Sequence, residues 1–273
     1  MFKRFIVVSV IIFALMSGAI AHEFWLQPAD FFPKIGDAVS VLIRVGENFE
    51  GERWGGGSRR AEQLKISNLG GEKDLLSTLT QADSAVVSPN IKIEQSGTQM
   101  LTLATNSSFI ELEPAKFLSY LKEDGLENAI EFRQKNKETN KNGRELYRRC
   151  AKTLLQVGNT PDAIPTRSSG MILDIIPQKN PYNLTKNQPL ACQFLYESKP
   201  LAGALVRCWR RAEGKTEIEF TRTDAKGNAT FALVKKRTGI YMVSTVKMVR
   251  LENNPRADWQ STWGSLTFAI VGL

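Results

Sequence analysis

From residue 171 onward the chain alternates short β-branched and aromatic runs with turn residues so regularly that only a layer of short strands accommodates it. The runs fall at 171–176, 190–196, 204–209, 217–222, 229–234, 240–247 and 266–271. Ser198-Lys199-Pro200, Asp224-Ala225-Lys226-Gly227-Asn228 and Thr238-Gly239 punctuate them. Strands this short at this spacing predict an antiparallel β-sandwich of immunoglobulin or transthyretin type.

The segment before it is also strand-rich, with runs at 24–26, 39–45, 64–66, 91–93, 100–103 and 109–112. Gly51 to Arg60 is glycine-rich but lacks the Gly-Lys-Ser/Thr ending and following helix of a phosphate-binding loop, so it reads as a flexible loop. At Pro114 the period changes. Proline suits a first helical position, and Phe117, Leu118 and Leu121 share a helical face. Leu126, Ile130 and Arg133-Gln134 suggest a second helix and 144–150 a third, before strand character returns at 153–157. The predicted protein is therefore mainly β, with two antiparallel β-sandwich domains and a helical insertion between them. A leader occupies 1–21, an N-terminal β domain 22–165 with its insertion at about 114–150, and an immunoglobulin-like domain 166–273. The turn-rich connection 158–170 is the best boundary.

Lys3 and Arg4, an apolar run to Met16 broken only by Ser9, and Ala19-Ile20-Ala21 compose a secretory signal with a small-x-small cleavage site. That run is too short for a lasting membrane span, and no later segment approaches the roughly 18 apolar residues a span needs. A periplasmic mature chain, not membrane-spanning after cleavage, is expected. Cleavage after Ala21 would leave His22, the single histidine of the chain, as the first residue. An N-terminal histidine offers an amine and an imidazole to one metal ion, and both deprotonate within reach of neutral pH. Such nitrogens favour copper, then nickel, then cobalt. A histidine alone at a chain end gives neither a hydrolytic triad nor oxidative copper chemistry, so no enzyme is expected.

The formal net charge is +8, and the densest basic stretch, 133–152, reads as a solvated helical face. With only Tyr147 there for stacking, no nucleic-acid partner is expected. Export permits disulfides. Cys192 and Cys208 are equidistant from Pro200 and can bond across an apparent hairpin, leaving Cys150 unpaired; two buried thiols are the alternative. Trp259 and Trp263, four apart, would share a face of one helical turn. With Trp25 they form an aromatic cluster, either core or a platform for sugar or peptide.

Taken together, several motifs resemble a secreted bacterial family catalogued as a domain of unknown function (DUF4198-like). They include His22-Glu23-Phe24-Trp25-Leu26-Gln27-Pro28, Arg44-Val45-Gly46-Glu47, Glu113-Pro114-Ala115-Lys116-Phe117, Arg149-Cys150-Ala151-Lys152 and Ala257-Asp258-Trp259-Gln260. Members are often labelled nickel-uptake or cobalt/nickel transport components. The resemblance implies a periplasmic location and a two-part β architecture with helices between. Where the family carries a His-Met pair ahead of the Asp-Trp motif, this chain has Lys247-Met248, which removes half of a two-histidine brace. Glu23, Met248 and Asp258 are then the candidate ligands beside His22. The expected function is non-enzymatic binding or delivery of nickel, cobalt or copper, with a membrane metal transporter or another envelope protein as partner. The alternative is a structural or protein-interaction module of the envelope with no metal role.

Overall fold

The computed structural model describes residues 23–56, 58–82, 85–87, 89–159, 162–185, 187–236 and 238–271; His22 and the leader lie outside them. In chain order the strands begin with β1 (Glu23–Pro28), β2 (Ala38–Glu47), β3 (Glu50–Arg53), β4 (Ala61–Asn68) and β5 (Gly71–Asp74). Next come β6 (Thr80–Ala82), β7 (Ala85–Val87), β8 (Asn90–Lys92), β9 (Gly97–Thr105) and β10 (Ser108–Leu112). Helices α1 (Pro114–Glu123) and α2 (Glu127–Lys135) follow, then β11 (Gly143–Val157), β12 (Leu173–Pro177), β13 (Leu190–Tyr196) and β14 (Lys199–Pro200). The chain closes with β15 (Leu205–Ala212), β16 (Lys215–Arg222), β17 (Asn228–Phe231), β18 (Gly239–Arg250) and β19 (Trp259–Ile270).

A nine-stranded sheet of order β16-β15-β18-β19-β11-β9-β4-β5, with β10 also on β11, runs through the molecule. Side chains alternate across it. One face carries Cys150, Leu154, Val243, Leu266 and Phe268, which pack on Leu173, Ile175, Cys192 and Phe194 of the β12-β13-β14 sheet, to which β17 adds. The other face packs Leu64, Leu101, Leu103 and Leu155 on Phe24, Leu26, Val41 and Ile43 of the β1-β2-β3 sheet. Beside that sheet, α1 and α2 cover Val246, Met248, Trp259 and Trp263. The protein is thus mainly β, with two α-helices among the described residues, both where the period changed. Pro114 opens α1, and Gly125 at φ 62° supplies the left-handed step that ends it.

Three sequence expectations are corrected. Residues 144–150 are strand, not a third helix. Arg, Glu and Leu there favour helix intrinsically, but β11 gains ladder hydrogen bonds on both edges, and a Cβ at Gly143 would run into the Phe117 ring. The same fact removes the solvated basic helical face: Arg133 and Lys152 are buried. The sheet is mixed, because β11 and β19 pair in parallel from Glu145↔Trp259 to Thr153↔Thr267. Parallel strands need a long crossover, here β12 to β18, so the sheet passes across the connection at 158–170.

Third, all three cysteines are free and buried. Cys192 pairs with Pro177 and Ala229, whereas Cys208 pairs with Glu219 and Val243 in the large sheet. What looked like a hairpin about Pro200 is a passage from one sheet to the other, so these residues are not cross-strand partners. Burial pushes the Cys192 thiol up to about 12, and burial together with neighbouring Cys192 raises that of Cys208, so the two thiols meet in the core between the sheets without a bond.

Lys152, at 0% side-chain exposure, reaches from β11 across the core to Asp174 of β12 at 2.5 Å, and also donates to the Ile175 carbonyl at 3.0 Å. Asp174 accepts further bonds from Ser168 and Ser169. Burial alone would raise this carboxyl; the Lys152 charge and these bonds overrule it and hold Asp174 below the usual range. Removing one member of a buried pair leaves the other uncompensated. Lys152→Ala should therefore cost about 3–5 kcal/mol in denaturant unfolding, and an effect below about 1 kcal/mol, the scale of an exposed ion pair, would show the pair to be dispensable.

Candidate functional site

The strand edge facing β11 is interrupted. β9 pairs with residues 150–157 and β10 with residues 143–147 of the same strand, and the break between them falls at Asn106-Ser107. Asn106 donates from its backbone to the Arg60 carbonyl at 2.9 Å and from its side chain to the Arg59 carbonyl at 3.1 Å. The break thus docks the end of the glycine-rich segment, and Arg60 meets Ser108 and, at 3.3 Å, the Tyr147 hydroxyl. Across the gap the Arg149 amide donates to the Thr105 hydroxyl at 3.0 Å.

A cleft of about 640 Å³ opens here, between β11 and the β2–β3 hairpin. Its floor is the alternate set Glu145, Tyr147 and Arg149, which strand geometry places on one face. Arg60, Trp54, Tyr120 and Trp263 contribute its walls. Tyr147 lies between two guanidiniums, with Arg149 4.8 Å and Arg60 5.6 Å from its ring centroid. Arg149 also lies 5.1 Å from Phe24, and Arg60 5.8 Å from Trp54. Such contacts use the guanidinium face and leave its edge donors for hydrogen bonding.

Three buried atoms around this cleft have no hydrogen-bond partner among the described residues: Glu145 Oε2, Arg60 Nε and Arg149 Nε. Glu145 is 2% exposed. Its other oxygen accepts from the Tyr120 hydroxyl at 3.2 Å and from Ser261, which in turn accepts from Trp263 Nε1 at 3.2 Å. Burial raises the Glu145 carboxyl to about 7, outweighing the Ser261 and Tyr120 bonds. With Oε1 already accepting twice, a proton on Glu145 belongs on Oε2. Burial, supported by Glu145 and Asp124, raises Tyr120 well above the ordinary phenol range, so it stays a donor. Burial also lowers Arg149, as does the Arg60 charge, against the pull of Tyr147.

A second buried cluster adjoins it. Arg207 bonds Asp124 at 2.8 Å and the Glu123 carbonyl at 2.6 Å. Burial lifts Asp124 to about 6 and Glu23 to about 7 in spite of Arg207. A carboxyl titrating near neutrality in a cleft is typical of binding and acid–base sites alike; the two arginines beside Glu145 suit the holding of an anion.

Glu23, Met248 and Asp258 do not share one shell. Glu23 faces Arg207 and Asp124, and its strand partner Gly46 lines the cleft. Met248 is fully buried beneath the helices. Asp258 is gripped by Arg144 at 3.0 and 2.8 Å, with Arg250 at 3.8 Å. No three His, Cys, Asp or Glu side chains among the described residues group to hold a metal. Lys247 points to the opposite strand face from Met248, following strand alternation.

The aromatic cluster divides. Trp259 and Trp263 share one face of strand β19, not a helical turn, because alternate strand positions coincide every second residue. Trp259 packs edge-on against Phe132 at 5.5 Å, and Trp263 stacks on Tyr120 at 5.9 Å. Trp25 belongs elsewhere, with Phe49, Trp209 and Met242, since it lies on the opposite face of β1 from Phe24. Sequence reasoning missed Trp54, Arg60, Glu145 and Arg149. The available signal was Glu145-x-Tyr147-x-Arg149, a period of two masked by good helix formers.

The sequence matches the family described as "Domain of unknown function (DUF4198)" over residues 19–248. The chain belongs to that family. The matched span contains every residue lining the cleft except Trp263. No curated protein matches the sequence. Among solved structures, that of dimeric latent PorU from Porphyromonas gingivalis aligns over 91% of this chain and 20% of that one, with 12% identity and a TM-score of 0.21. The chain spans about a fifth of that structure's length, and so distant a likeness carries no argument.

The raised carboxyls set a pH dependence. Between about pH 4.5 and 7 the folded state keeps protons on Glu145 and Asp124 that the unfolded chain releases, so stability falls as pH rises through that window. Asp174, Asp224 and Asp258, held low, lose their contributions only as pH drops below about 4. Thermal unfolding should therefore give a higher Tm at pH 5.5 than at pH 8, the stability differing on the order of 1–3 kcal/mol, and Glu145→Gln should reduce that difference while Asp124 and Glu23 keep the rest. A Tm that rises between those values would refute the assignment.

Proposed function

We propose that the protein is an exported, non-enzymatic binding protein of the cell envelope whose ligand occupies the cleft between β11 and the β2–β3 hairpin. One observation carries this reading: Glu145 Oε2, Arg60 Nε and Arg149 Nε are buried around one concavity without partners. An unsatisfied buried polar atom costs about 1–3 kcal/mol, and a ligand supplying acceptors would relieve that cost. The cleft also falls within the common size range of small-molecule sites, about 300–1,000 Å³. In its C-terminal part, sheet orders β12-β13-β17 and β16-β15-β18-β19 support an immunoglobulin-like sandwich of the A-B-E and C′-C-F-G kind, a frame often used in surface proteins.

Native mass spectrometry of protein taken gently from the periplasm tests the reading. Wild type should carry a non-covalent small molecule that Arg149→Gln loses. Wild-type protein without any adduct, or an adduct unaffected by the substitution, would count against it.

A second reading keeps a transition metal. His22 is bonded to Glu23, the first residue of β1, whose partner Gly46 lines the cleft. Nickel, cobalt or copper held there by the free amine and imidazole would be passed to a membrane transporter. Calorimetric titration of Cu(II) and Ni(II) into protein beginning at His22 should show binding that one added N-terminal residue weakens at least tenfold. Unchanged affinity in His22→Ala would eliminate a metal site at this position.

A further inference from the structure

The charges around the cleft are arranged in depth. Arg149 on its floor and Arg60 in its wall each have a buried Nε lacking a partner among the described residues, as has Glu145 Oε2. The hairpin opposite presents Glu47, Glu50 and Glu52 at the exposed mouth, where Glu50 is engaged by Arg211 at 3.0 Å. Strand pairing Glu47↔Glu50 and Val45↔Glu52 puts all three carboxylates on the hairpin face that carries Val45 toward the core. The hairpin is closely packed. Cβ atoms at Gly46 or Gly51 would strike the facing backbone, and Phe49, at φ 59° in the turn, is held by its ring packing 5.4 Å from Trp25. Ile110, Leu112 and Trp54 add apolar lining to the same cleft.

Each part excludes something. The deep arginines reject a plain cation, since an unpaired positive charge brought beside them would be desolvated without gain. The acidic mouth repels phosphates and other polyanions. A ligand with one anionic and one cationic end, separated by an apolar body, meets every surface with its complement. Resting on the reading of this cleft as the binding site, we propose that it takes a zwitterion, a free amino acid or short peptide. Its carboxylate lies on the Arg60 and Arg149 edges and its ammonium against Glu52 of the hairpin. Fork-shaped guanidinium edges match a carboxylate's two oxygens, and aromatic walls flank the apolar side chain.

The test uses the full processed chain and three peptides in calorimetric titration: phenylalanyl-leucine, its N-acetyl form and its C-terminal amide. The free dipeptide should bind, and each blocked form should bind at least tenfold more weakly. Arg149→Gln should weaken the free dipeptide at least tenfold while thermal unfolding shows the variant folded. Glu52→Gln, at an exposed position that leaves the core untouched, should narrow the gap between free and N-acetylated dipeptide. Equal affinity for the acetylated or the amidated form overturns the zwitterion assignment, as does absence of heat with all three. In those cases a cleft ligand seen by mass spectrometry and lost in Arg149→Gln would leave the binding reading standing with a different ligand class.

Discussion

Strand β11 must satisfy its backbone on both edges over fifteen residues from Gly143 to Val157, and from Cys150 onward every residue is buried. One edge takes β19 in parallel; the other takes β10, a gap, and β9. Buried parallel strands usually read as continuous apolar runs, yet β11 carries buried Glu145 and Lys152 and half-buried Arg149. Each requires a compensating partner brought from elsewhere, and those partners account for much of the remaining architecture. Lys152 fixes the β12 sheet through Asp174 on one face. On the other, Glu145 draws in Tyr120 of α1 and Ser261 of β19.

The two faces differ in how completely they are satisfied, and that difference separates structure from site. Lys152 and Asp174 exchange a direct bond supported by an Ile175 carbonyl and two serines. Around Glu145 the network stops short, at one carboxyl oxygen and two guanidinium Nε atoms. Both environments are buried, so desolvation is common to them; only the second adjoins a cleft. A closed polar network rigidifies a core, whereas an open one next to a concavity is poised to accept what solvent or a ligand supplies.

Much of the strand layout was legible because period-two alternation and turn residues are local signals. The runs at 39–45, 100–103, 190–196 and 240–247 all fall within strands. Pro114 and the apolar spacing behind it likewise announced α1. What local signals cannot carry is pairing over distance. Nothing within 143–150 reveals that β19 will lie beside it, so its helix-favouring composition prevailed in the reading. Cys192 and Cys208 looked symmetric about Pro200 only because a passage between sheets resembles a hairpin in sequence. The cleft escaped notice for a related reason. Trp54 and Arg60 come from a glycine-rich segment that gains meaning only once Asn106, at the break between β9 and β10, accepts it into the fold.

The parallel register of β11 with β19 also bears on the order in which structure can form. Glu145 and Trp259 are adjacent in space but separated by almost the whole C-terminal half of the chain. Closing so long a loop is entropically unfavourable until other contacts precede it, and topologies rich in such pairings assemble slowly. Until β19 docks, β11 presents an unpaired edge, and the floor residue Glu145 lacks Ser261. Strand β19 thus acts as a latch: a chain emerging from synthesis can rehearse its hairpins early, but Glu145 on the floor of the cleft gains its Ser261 hydrogen bond only after β19 has arrived.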